Sequence, residues 1–338
     1  MNSEKAQHFF ENYTGKKPSE FLILAQSGSA RVNFLAKNEN TKYIITFNEN
    51  IQENESFLYY SEIFSSLNLN TPTIFKISDD RKIYIQEFLG EKTLSEIINN
   101  EGLSDNVKAL VKQTLENLYQ LQISTQNKID FSKTFEYEKY DELPVTHDLY
   151  YFKNFVADVL ELEYHKSTLL KEFKNIANLI ENLEPKGLMI RDFQARNIMV
   201  NEKNEVSFID YQSAMKGPLM YDVISFLFQA KANFPENFKN EMLDFYINQF
   251  DNEEVKTQLK ASVKPIQLMR FLQVLGAYGF RGLIQRKQHF ISSIEKGIEN
   301  ITEFAQNWEN MRDYPELEKV IRQLSLERTK LKIEEILN

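Results

Sequence analysis

The sequence predicts an α+β fold with two lobes: a small N-terminal lobe built on an antiparallel sheet and a large, mostly helical C-terminal lobe. Two observations predict it. Short strand-like runs separated by turn residues dominate the first 90 residues, and helical periodicity dominates the remainder. A chain of 338 residues is also long enough to give each lobe its own core. We therefore expect an N-lobe over residues 1–90 and a C-lobe over residues 91–338.

The predicted N-lobe contains five strands and one helix. The strands are rich in β-branched and aromatic residues, and turn signals at Gly28 and at residues 38–40 and 79–81 separate them. One helix interrupts the strands, because apolar side chains from Phe57 to Leu67 recur at helical spacing. The predicted strands cover residues 21–25, 32–37, 43–47, 74–77 and 83–88.

The predicted C-lobe is a succession of helices. Its first apolar stripe, from Val107 to Tyr119, follows Ser104, a residue type that caps helix N-termini. A final amphipathic stretch covers residues 315–337. Further helices are predicted over residues 149–162, 167–183, 237–250, 262–285 and 291–311.

Composition excludes several classes of protein. A net charge of −9, without a basic tract, argues against a surface that neutralises a nucleic-acid backbone. The absence of cysteine excludes disulfides and thiolate metal sites. No window approaches the roughly 18 apolar residues of a membrane span, and the N-terminus lacks the apolar core of a signal peptide. We expect a cytoplasmic protein that binds neither nucleic acid nor membrane; the sequence does not indicate its oligomeric state.

The most informative stretch covers residues 190–210. Asp192 and Asn197 lie in a loop after an apolar run, and two short strands joined by a polar turn then lead to Asp210. A hairpin folds back on itself, so Asp210 should return to the neighbourhood of Asn197. A carboxylate and an amide oxygen side by side suit Mg²⁺. Asp192 is then available to accept a proton from a hydroxyl group, which is the division of labour in a kinase catalytic loop.

This stretch resembles the aminoglycoside phosphotransferase and choline kinase superfamily, whose catalytic loop reads roughly His-x-Asp-x-x-x-x-Asn. The family His is Ile190 here. The resemblance implies a protein-kinase-like fold, Asp192 as the catalytic residue, Asn197 and Asp210 as magnesium ligands, and Asp222 as a brace for the loop. Within the superfamily, the chain is most similar to bacterial anomeric kinases of N-acetylmuramate and N-acetylglucosamine, through residues 191–193, 209–212, 217–222 and 269–276.

The nucleotide side of the predicted site has two parts. The turn with Ser27, Gly28 and Ser29 could cover the phosphates through backbone N–H groups, and the resemblance implies a phosphate contact for Arg31. Glu87 and Phe88 fall where a kinase fold holds adenine.

The third strand lacks the Lys that most kinases use to hold the phosphates of ATP. Two interpretations remain open. The chain is either a degenerate kinase that binds nucleotide without transferring a phosphoryl group, or a member of a branch that orders the phosphates with Arg31 and metal. We favour the second, because a chain without catalysis has no need to keep Asp192, Asn197 and Asp210 together.

The acceptor is predicted to be a small hydroxyl compound. The predicted helix over residues 262–285 and the residue after it carry basic side chains, which suit a neutral or acidic sugar, and we take Arg270 and Gln212 as candidate acceptor contacts. The predicted function is ATP- and Mg²⁺-dependent phosphorylation of an N-acetylated amino sugar, at the anomeric hydroxyl. The alternatives are an aminoglycoside or choline kinase, and a nucleotide-binding pseudokinase that regulates a partner.

Overall fold

The computed structural model describes residues 2–24 and 30–338. Strands in this part of the chain pair into a five-stranded, a three-stranded and a two-stranded sheet. The strands are β1 (Glu20–Ile23), β2 (Val32–Asn38), β3 (Thr41–Phe47), β4 (Ile74–Ile77), β5 (Ile83–Glu87), β6 (Lys92–Thr93), β7 (Lys186–Met189), β8 (Ile198–Val200), β9 (Val206–Phe208) and β10 (Met215–Pro218). The helices are α1 (Asn2–Thr14), α2 (Ile51–Ser66), α3 (Leu94–Glu101), α4 (Asp105–Ser124), α5 (Glu142–Phe152), α6 (Lys166–Glu181), α7 (Met220–Leu227), α8 (Glu236–Ile247), α9 (Glu253–Tyr278), α10 (Gln288–Asn307), α11 (Pro315–Leu324) and α12 (Glu327–Leu337).

The chain divides into two compact units. The first unit comprises Met1–Glu138 and Ile190–Met215, and the second comprises Lys139–Met189 and Lys216–Asn338. The first unit includes residues on both sides of residue 90, and the lobe boundary expected there stays a prediction. Because β6 pairs antiparallel with β8, the segment after residue 90 joins the hairpin of the predicted catalytic loop.

The first unit contains the predicted antiparallel sheet, whose strand order is β1-β2-β3-β5-β4. The fold class predicted from the sequence is therefore confirmed. Because side chains alternate across a strand, the two faces of the sheet differ. One face buries apolar residues from β2, β3 and β5 against Ala6 and Phe10 of α1, a helix that the sequence analysis did not predict. The opposite face carries Asn33 of β2 opposite Thr46 of β3, and it borders a cavity.

Local caps fix the helices of the first unit. Asn50 caps α2 by accepting a hydrogen bond from the backbone N–H of Glu53. Ser104 caps α4 as predicted, with Oγ accepting from Val107 N at 3.2 Å. Thr93 and Glu96 form a capping box at the start of α3, a helix that was not predicted separately. Each side chain satisfies a backbone N–H that the helix itself leaves without a partner.

The second unit consists mainly of packed helices, and three predicted helices are interrupted there. The stretch predicted as helix over residues 149–162 is α5 followed by a π-helical turn, Lys153–Ala157. Likewise, α9 ends at Tyr278 and a π-helical turn, Gly279–Ile284, follows it. The stretch 315–337 is two helices, α11 and α12.

The close packing of α5 and α9 depends on a glycine. A Cβ atom added at Gly276 would lie 2.8 Å from the backbone nitrogen of Phe152, closer than real Cβ contacts allow. The two helix backbones therefore approach to a distance that any larger residue would prevent. The helical periodicity of the sequence does not reveal such an approach, because it reports which face is apolar and not how close the neighbouring helix lies.

A buried carboxylate holds the start of α11 in the second unit. Glu172 of α6 accepts hydrogen bonds from the backbone N–H groups of Glu316, at 2.9 Å, and Leu317, at 2.7 Å. Burial raises the pKa of Glu172, although the two backbone donors oppose this by lowering it. The side chain thus caps α11 from a neighbouring helix.

None of the helices in the described residues is both long and apolar enough to cross a membrane.

Candidate active site

The β8–β9 hairpin places Asn197 beside Asp210. Asn197 ends a short 3₁₀ helix directly before β8, and Asp210 follows β9 by two residues. The backbone N–H of Ile209 donates to the carbonyl of Asn197 at 3.0 Å, which closes the end of the hairpin. The amide Nδ2 of Asn197 then donates to Oδ2 of Asp210 at 3.2 Å. The two side chains that were predicted to bind metal are therefore neighbours.

The same amide ties the hairpin to Asp192. Nδ2 of Asn197 donates to the backbone carbonyl of Asp192 at 2.8 Å, and the backbone N–H of Asp192 donates to the carbonyl of Ile190 at 3.0 Å. Where the family has its loop His, the buried Ile190 cannot form a side-chain hydrogen bond. The hydrogen bond from the Asn197 amide helps to fix the Asp192 backbone. Asp192 belongs to the first unit and is half-buried.

Two residues that flank the β8–β9 hairpin and the short segment before it have positive φ angles. Arg191 has φ of 72° and Asp210 has φ of 66°, a left-handed conformation that costs a non-glycine residue about 1 kcal/mol or more. Such strain persists only where the surroundings fix the conformation, and it is concentrated at functional sites. For Arg191, the surroundings include an ion pair with Glu136 at 3.5 Å and the ring of Tyr137.

The Asp210 carboxylate accepts hydrogen bonds from three side chains. Its Oδ1 accepts from the guanidinium of Arg31 and from Nε2 of Gln212 at 3.2 Å, and its Oδ2 accepts from Asn197. Gln212 is buried, and its backbone carbonyl accepts from Ser56 Oγ at 2.7 Å. In the first unit Gln212 therefore orients Asp210. Its role as an acceptor contact stays a prediction.

Arg31 also contacts Glu53, which the sequence analysis did not single out. Arg31 Nε lies 3.1 Å from Glu53 Oε1, and the two side chains are only 12% and 15% exposed. Burial raises the pKa of the Tyr84 hydroxyl overall, although the positive charge of the guanidinium opposes this by lowering it. Burial lowers the pKa of Arg31, but attraction to Asp210 and Glu53 outweighs this effect, so the pKa is raised overall. A signal for Glu53 existed: it is the acidic residue in the first turn of the helix after strand three.

A cavity of about 450 Å³ in the first unit borders these groups. It is lined by residues of β2, β3 and β5 on the sheet face opposite α1, by the segment after β5, and by Arg31, Asn197 and Asp210. The predicted nucleotide-binding residues Arg31, Glu87 and Phe88 all line it. The other three residues predicted for this role, Ser27, Gly28 and Ser29, lie outside the described residues.

Gly90 lets the chain after β5 pass close to β8. It has φ of 142°, and a Cβ atom there would lie 2.5 Å from the carbonyl oxygen of Val200. Only glycine fits both the angle and the space. This contact holds one wall of the cavity against the hairpin that carries Asn197 and Asp210.

Asp222 and Arg270 lie in the second unit. Asp222 is in the first turn of α7 and is fully buried, and its role as a brace for the catalytic loop stays a prediction. Arg270 is 5% exposed; its guanidinium donates to the Tyr221 hydroxyl at 2.9 Å and contacts Gln273. An arginine enclosed in this way is first a packing and hydrogen-bonding residue, and its contact with an acceptor also stays a prediction.

The residues present suit magnesium as a metal bound together with substrate. Asn197 and Asp210 offer an amide and a carboxylate oxygen within one small region. Residues 2–24 and 30–338 contain no group of three or more His, Cys, Asp or Glu side chains arranged for a metal. Magnesium commonly takes one or two protein oxygens and completes its shell with water and phosphate oxygens. A site of two protein ligands fits that behaviour.

Comparison with known proteins identifies the family. A model of a family described as "Phosphotransferase enzyme family" matches residues 23–258, which is more than half of the chain. The chain belongs to the phosphotransferase enzyme family. The superfamily resemblance inferred from the catalytic loop is thereby confirmed, and so is the phosphotransferase class at the level of the family.

One curated relative is the N-acetylmuramate/N-acetylglucosamine kinase of Pseudomonas aeruginosa. It is 23% identical over 234 residues, which cover 68% of this chain and 65% of the relative. The chain therefore matches slightly less than two thirds of that protein's length.

Solved structures of phosphotransferases share the fold. The AMP-bound spectinomycin phosphotransferase has a TM-score of 0.63 at 13% identity, with 91% of this chain and 99% of that chain covered. The choline kinase of Streptococcus pneumoniae has a TM-score of 0.59 at 12% identity, with 89% and 100% covered. At these identities the likeness concerns the fold alone.

Proposed function

We propose that this chain is a kinase that transfers the γ-phosphoryl group of ATP to the anomeric hydroxyl of an N-acetylated amino sugar. One observation carries the phosphotransfer part of the proposal. Asp210 and Asn197 are hydrogen-bonded neighbours, the same Asn197 amide holds the Asp192 backbone, and Arg31 faces Asp210. An oxygen-ligand pair and a cation therefore line a cavity that is large enough for a nucleotide, and the backbone of the proton acceptor Asp192 is hydrogen-bonded to one of that pair.

Each residue has a role in the proposed mechanism. The segment with Glu87 and Phe88 borders the base, and Arg31 neutralises phosphate charge. Asn197 and Asp210 would hold Mg²⁺, which when bound would neutralise charge on the phosphates. Asp192 orients the acceptor hydroxyl and accepts its proton. The acceptor oxygen forms a bond to the γ-phosphorus, the bond from that phosphorus to the β–γ bridging oxygen breaks, and ADP leaves with that oxygen.

Catalysis in this proposal depends on positioning and on charge. Little covalent chemistry falls to the protein in phosphoryl transfer, so the rate gain comes from fixed geometry and preorganised electrostatics. The strained φ angles at Arg191 and Asp210 are consistent with such preorganisation, because they hold the loop in one conformation.

The amino-sugar acceptor has support of its own, separate from that for phosphotransfer. Its support is the curated relative named for N-acetylmuramate and N-acetylglucosamine, and the motif segments noted in the sequence. Basic residues near the end of α9 and after it, such as Arg281 and Arg286, suit a neutral or acidic sugar better than a cationic drug.

The test is ATP consumption over a panel of acceptors. The panel contains N-acetylated amino sugars, neutral hexoses, choline and aminoglycosides, and Asp192→Asn serves as the catalytically impaired control. Turnover on amino sugars should give a product that has lost its reducing end and is labile to acid, as a sugar 1-phosphate is and a 6-phosphate is not. Turnover of choline or aminoglycosides alone would overturn the amino-sugar assignment, and nucleotide binding without any turnover would favour the pseudokinase.

A further inference from the structure

The third strand of the sheet has no lysine where kinases usually carry one. Two side chains of β3, Ile44 and Thr46, line the cavity. Thr46 is bound to its neighbours through Oγ1, which donates to Asn33 at 2.7 Å and accepts from Gln86 at 3.0 Å. In most kinases a Lys on this strand reaches the α- and β-phosphates and pairs with a Glu of the adjacent helix. Here that function must come from another residue, because Thr46 offers no charge.

Arg31 lies on the same face of the sheet, one strand away. Asn33 is the cross-strand partner of Thr46, and Arg31 precedes Asn33 by two residues, so it continues the cavity-facing alternation of β2. Like Thr46 and Asn33, Arg31 lines the cavity. Arg31, which directly precedes β2, can therefore reach the region that a Lys on β3 would reach.

Glu53 fixes the guanidinium from the helix. Its Oε1 lies 3.1 Å from Arg31 Nε, and its Oε2 accepts from Asn48 Nδ2 at 2.9 Å. Its backbone N–H is held by the Asn50 cap at 3.2 Å. With both carboxylate oxygens and the backbone engaged, Glu53 presents one geometry to Arg31. The same guanidinium also donates to Asp210. Its planar fork of donors matches the geometry of phosphate oxygens.

We propose that Arg31, positioned by Glu53 of α2, holds the diphosphate part of the nucleotide in place of the absent strand-three lysine. This inference rests on the proposed kinase function and adds a residue to it. Arg31 contacts the phosphates, and Glu53 is a positioning residue that acts through Arg31. The ion pair of Arg31 and Glu53 thus joins the start of β2 to α2, whereas in most kinases the corresponding pair joins strand three to the helix. The ligand class is a nucleoside di- or triphosphate, and a nucleoside without phosphates gains nothing from the pair.

The experiment measures calorimetric affinity for ADP and for adenosine, with EDTA present, on the full chain. Arg31→Ala should weaken ADP binding about 10- to 100-fold, as expected for loss of a hydrogen bond between charged groups, and leave adenosine binding unchanged. Glu53→Gln should weaken ADP binding by a smaller factor, also without effect on adenosine. The double variant should bind ADP no more weakly than Arg31→Ala alone, because Glu53 acts through Arg31.

Two further variants separate this role from a general effect on folding. Glu55→Gln lies on the same helix and removes an ion pair with Arg81, so it is the matched control and should bind ADP as the wild type does. Arg31→Lys keeps the charge but loses the fork, and it should retain part of the ADP affinity.

Specific outcomes would overturn the inference. It fails if the two single variants weaken ADP binding independently and additively, if they weaken adenosine binding equally, or if the wild type binds ADP no more tightly than adenosine in EDTA. Those results leave the proposed function standing, since that depends on turnover with Mg·ATP. Conversely, a wild type that phosphorylates nothing but shows the expected ADP pattern supports the inference and overturns the proposed function.

Discussion

Replacing Asp210 by Asn tests the metal site with little change of shape. The substitution keeps an oxygen that can accept from Gln212 or Asn197, and it removes the charge that faces Arg31. Asp210 is the one carboxylate of the proposed ligand pair, so we expect affinity for Mg·ATP to fall about 100-fold, the upper range for disturbing a metal-binding shell. Affinity for metal-free ADP should change little, because Arg31 keeps its ion pair with Glu53.

The size of the effect follows from ligand linkage. At a Mg·ATP concentration of about 100 times the dissociation constant, binding stabilises the wild type by about 2.7 kcal/mol. After a 100-fold loss of affinity, the same concentration gives about 0.4 kcal/mol. For a domain of this size, 1 kcal/mol corresponds to about 2–4 °C in melting temperature. The shift produced by Mg·ATP should therefore fall from about 5–11 °C to about 1 °C.

The assay is a thermal-shift titration with ATP in magnesium and in EDTA. Asp80→Asn is the matched control, since it removes the same charge from an exposed turn of the first unit, where the carboxylate accepts from Ser78 and Lys82. It should keep the full magnesium-dependent shift. If Asp210→Asn keeps that shift too, magnesium is bound elsewhere and the reasoning about Asn197 and Asp210 fails.

Further predictions concern Asp192 and Glu172. Asp192→Asn should lower kcat about 10²- to 10⁴-fold while ADP affinity stays within about threefold of wild type, because only the proton acceptor is lost. Steady-state kinetics measures kcat and calorimetry measures the ADP affinity. Near-normal turnover would remove Asp192 from the mechanism. Glu172→Ala leaves the N–H groups of Glu316 and Leu317 without their acceptor and should lower the free energy of unfolding by about 1–3 kcal/mol. Glu172→Gln can still accept one of these hydrogen bonds, so it should lower the free energy of unfolding by less. Urea unfolding measures both losses, and equal losses would contradict the role of Glu172 as a cap. Burial raises the pKa of Glu172 above its ordinary 4.5, so the native state holds the proton more tightly than the unfolded chain. The contribution of Glu172 to the free energy of unfolding is fully present below pH 4.5 and is lost as pH rises through the native pKa. Wild type should therefore lose stability relative to Glu172→Gln between acid and neutral pH. A stability difference that does not vary with pH would refute this assignment.

The interrupted helices show what periodicity leaves undecided. The apolar stripes identified most of the C-terminal helices, because burial of one face repeats every three to four residues. They did not predict the π-helical turns after α5 and α9. Those segments follow the place where Gly276 lets α9 approach α5, and the distance between two helix backbones is set by packing and not by either helix alone. Periodicity likewise does not reveal that β6 pairs with the distant β8.

The sequence by itself determined the β8–β9 hairpin. Asn197 and Asp210 are 13 residues apart and are joined by a tight hairpin, so local turn chemistry and strand pairing suffice to bring their side chains together. Ser104 was likewise readable as a helix cap, because a cap acts on residues within its own helical turn. Such features need only short-range information.

Only the tertiary structure decided how the Arg31 charge is placed. Arg31 and Asp210 are 179 residues apart, and Glu53 belongs to a helix that follows a different strand. Which of the chain's many acidic residues a given arginine meets depends on the order of strands in the sheet and on the position of α2, and no local pattern encodes either. The sequence showed that the strand-three lysine was absent. The fold put Arg31, which directly precedes β2, beside Glu53 and Asp210, since side chains that are remote in sequence meet only once the sheet has formed.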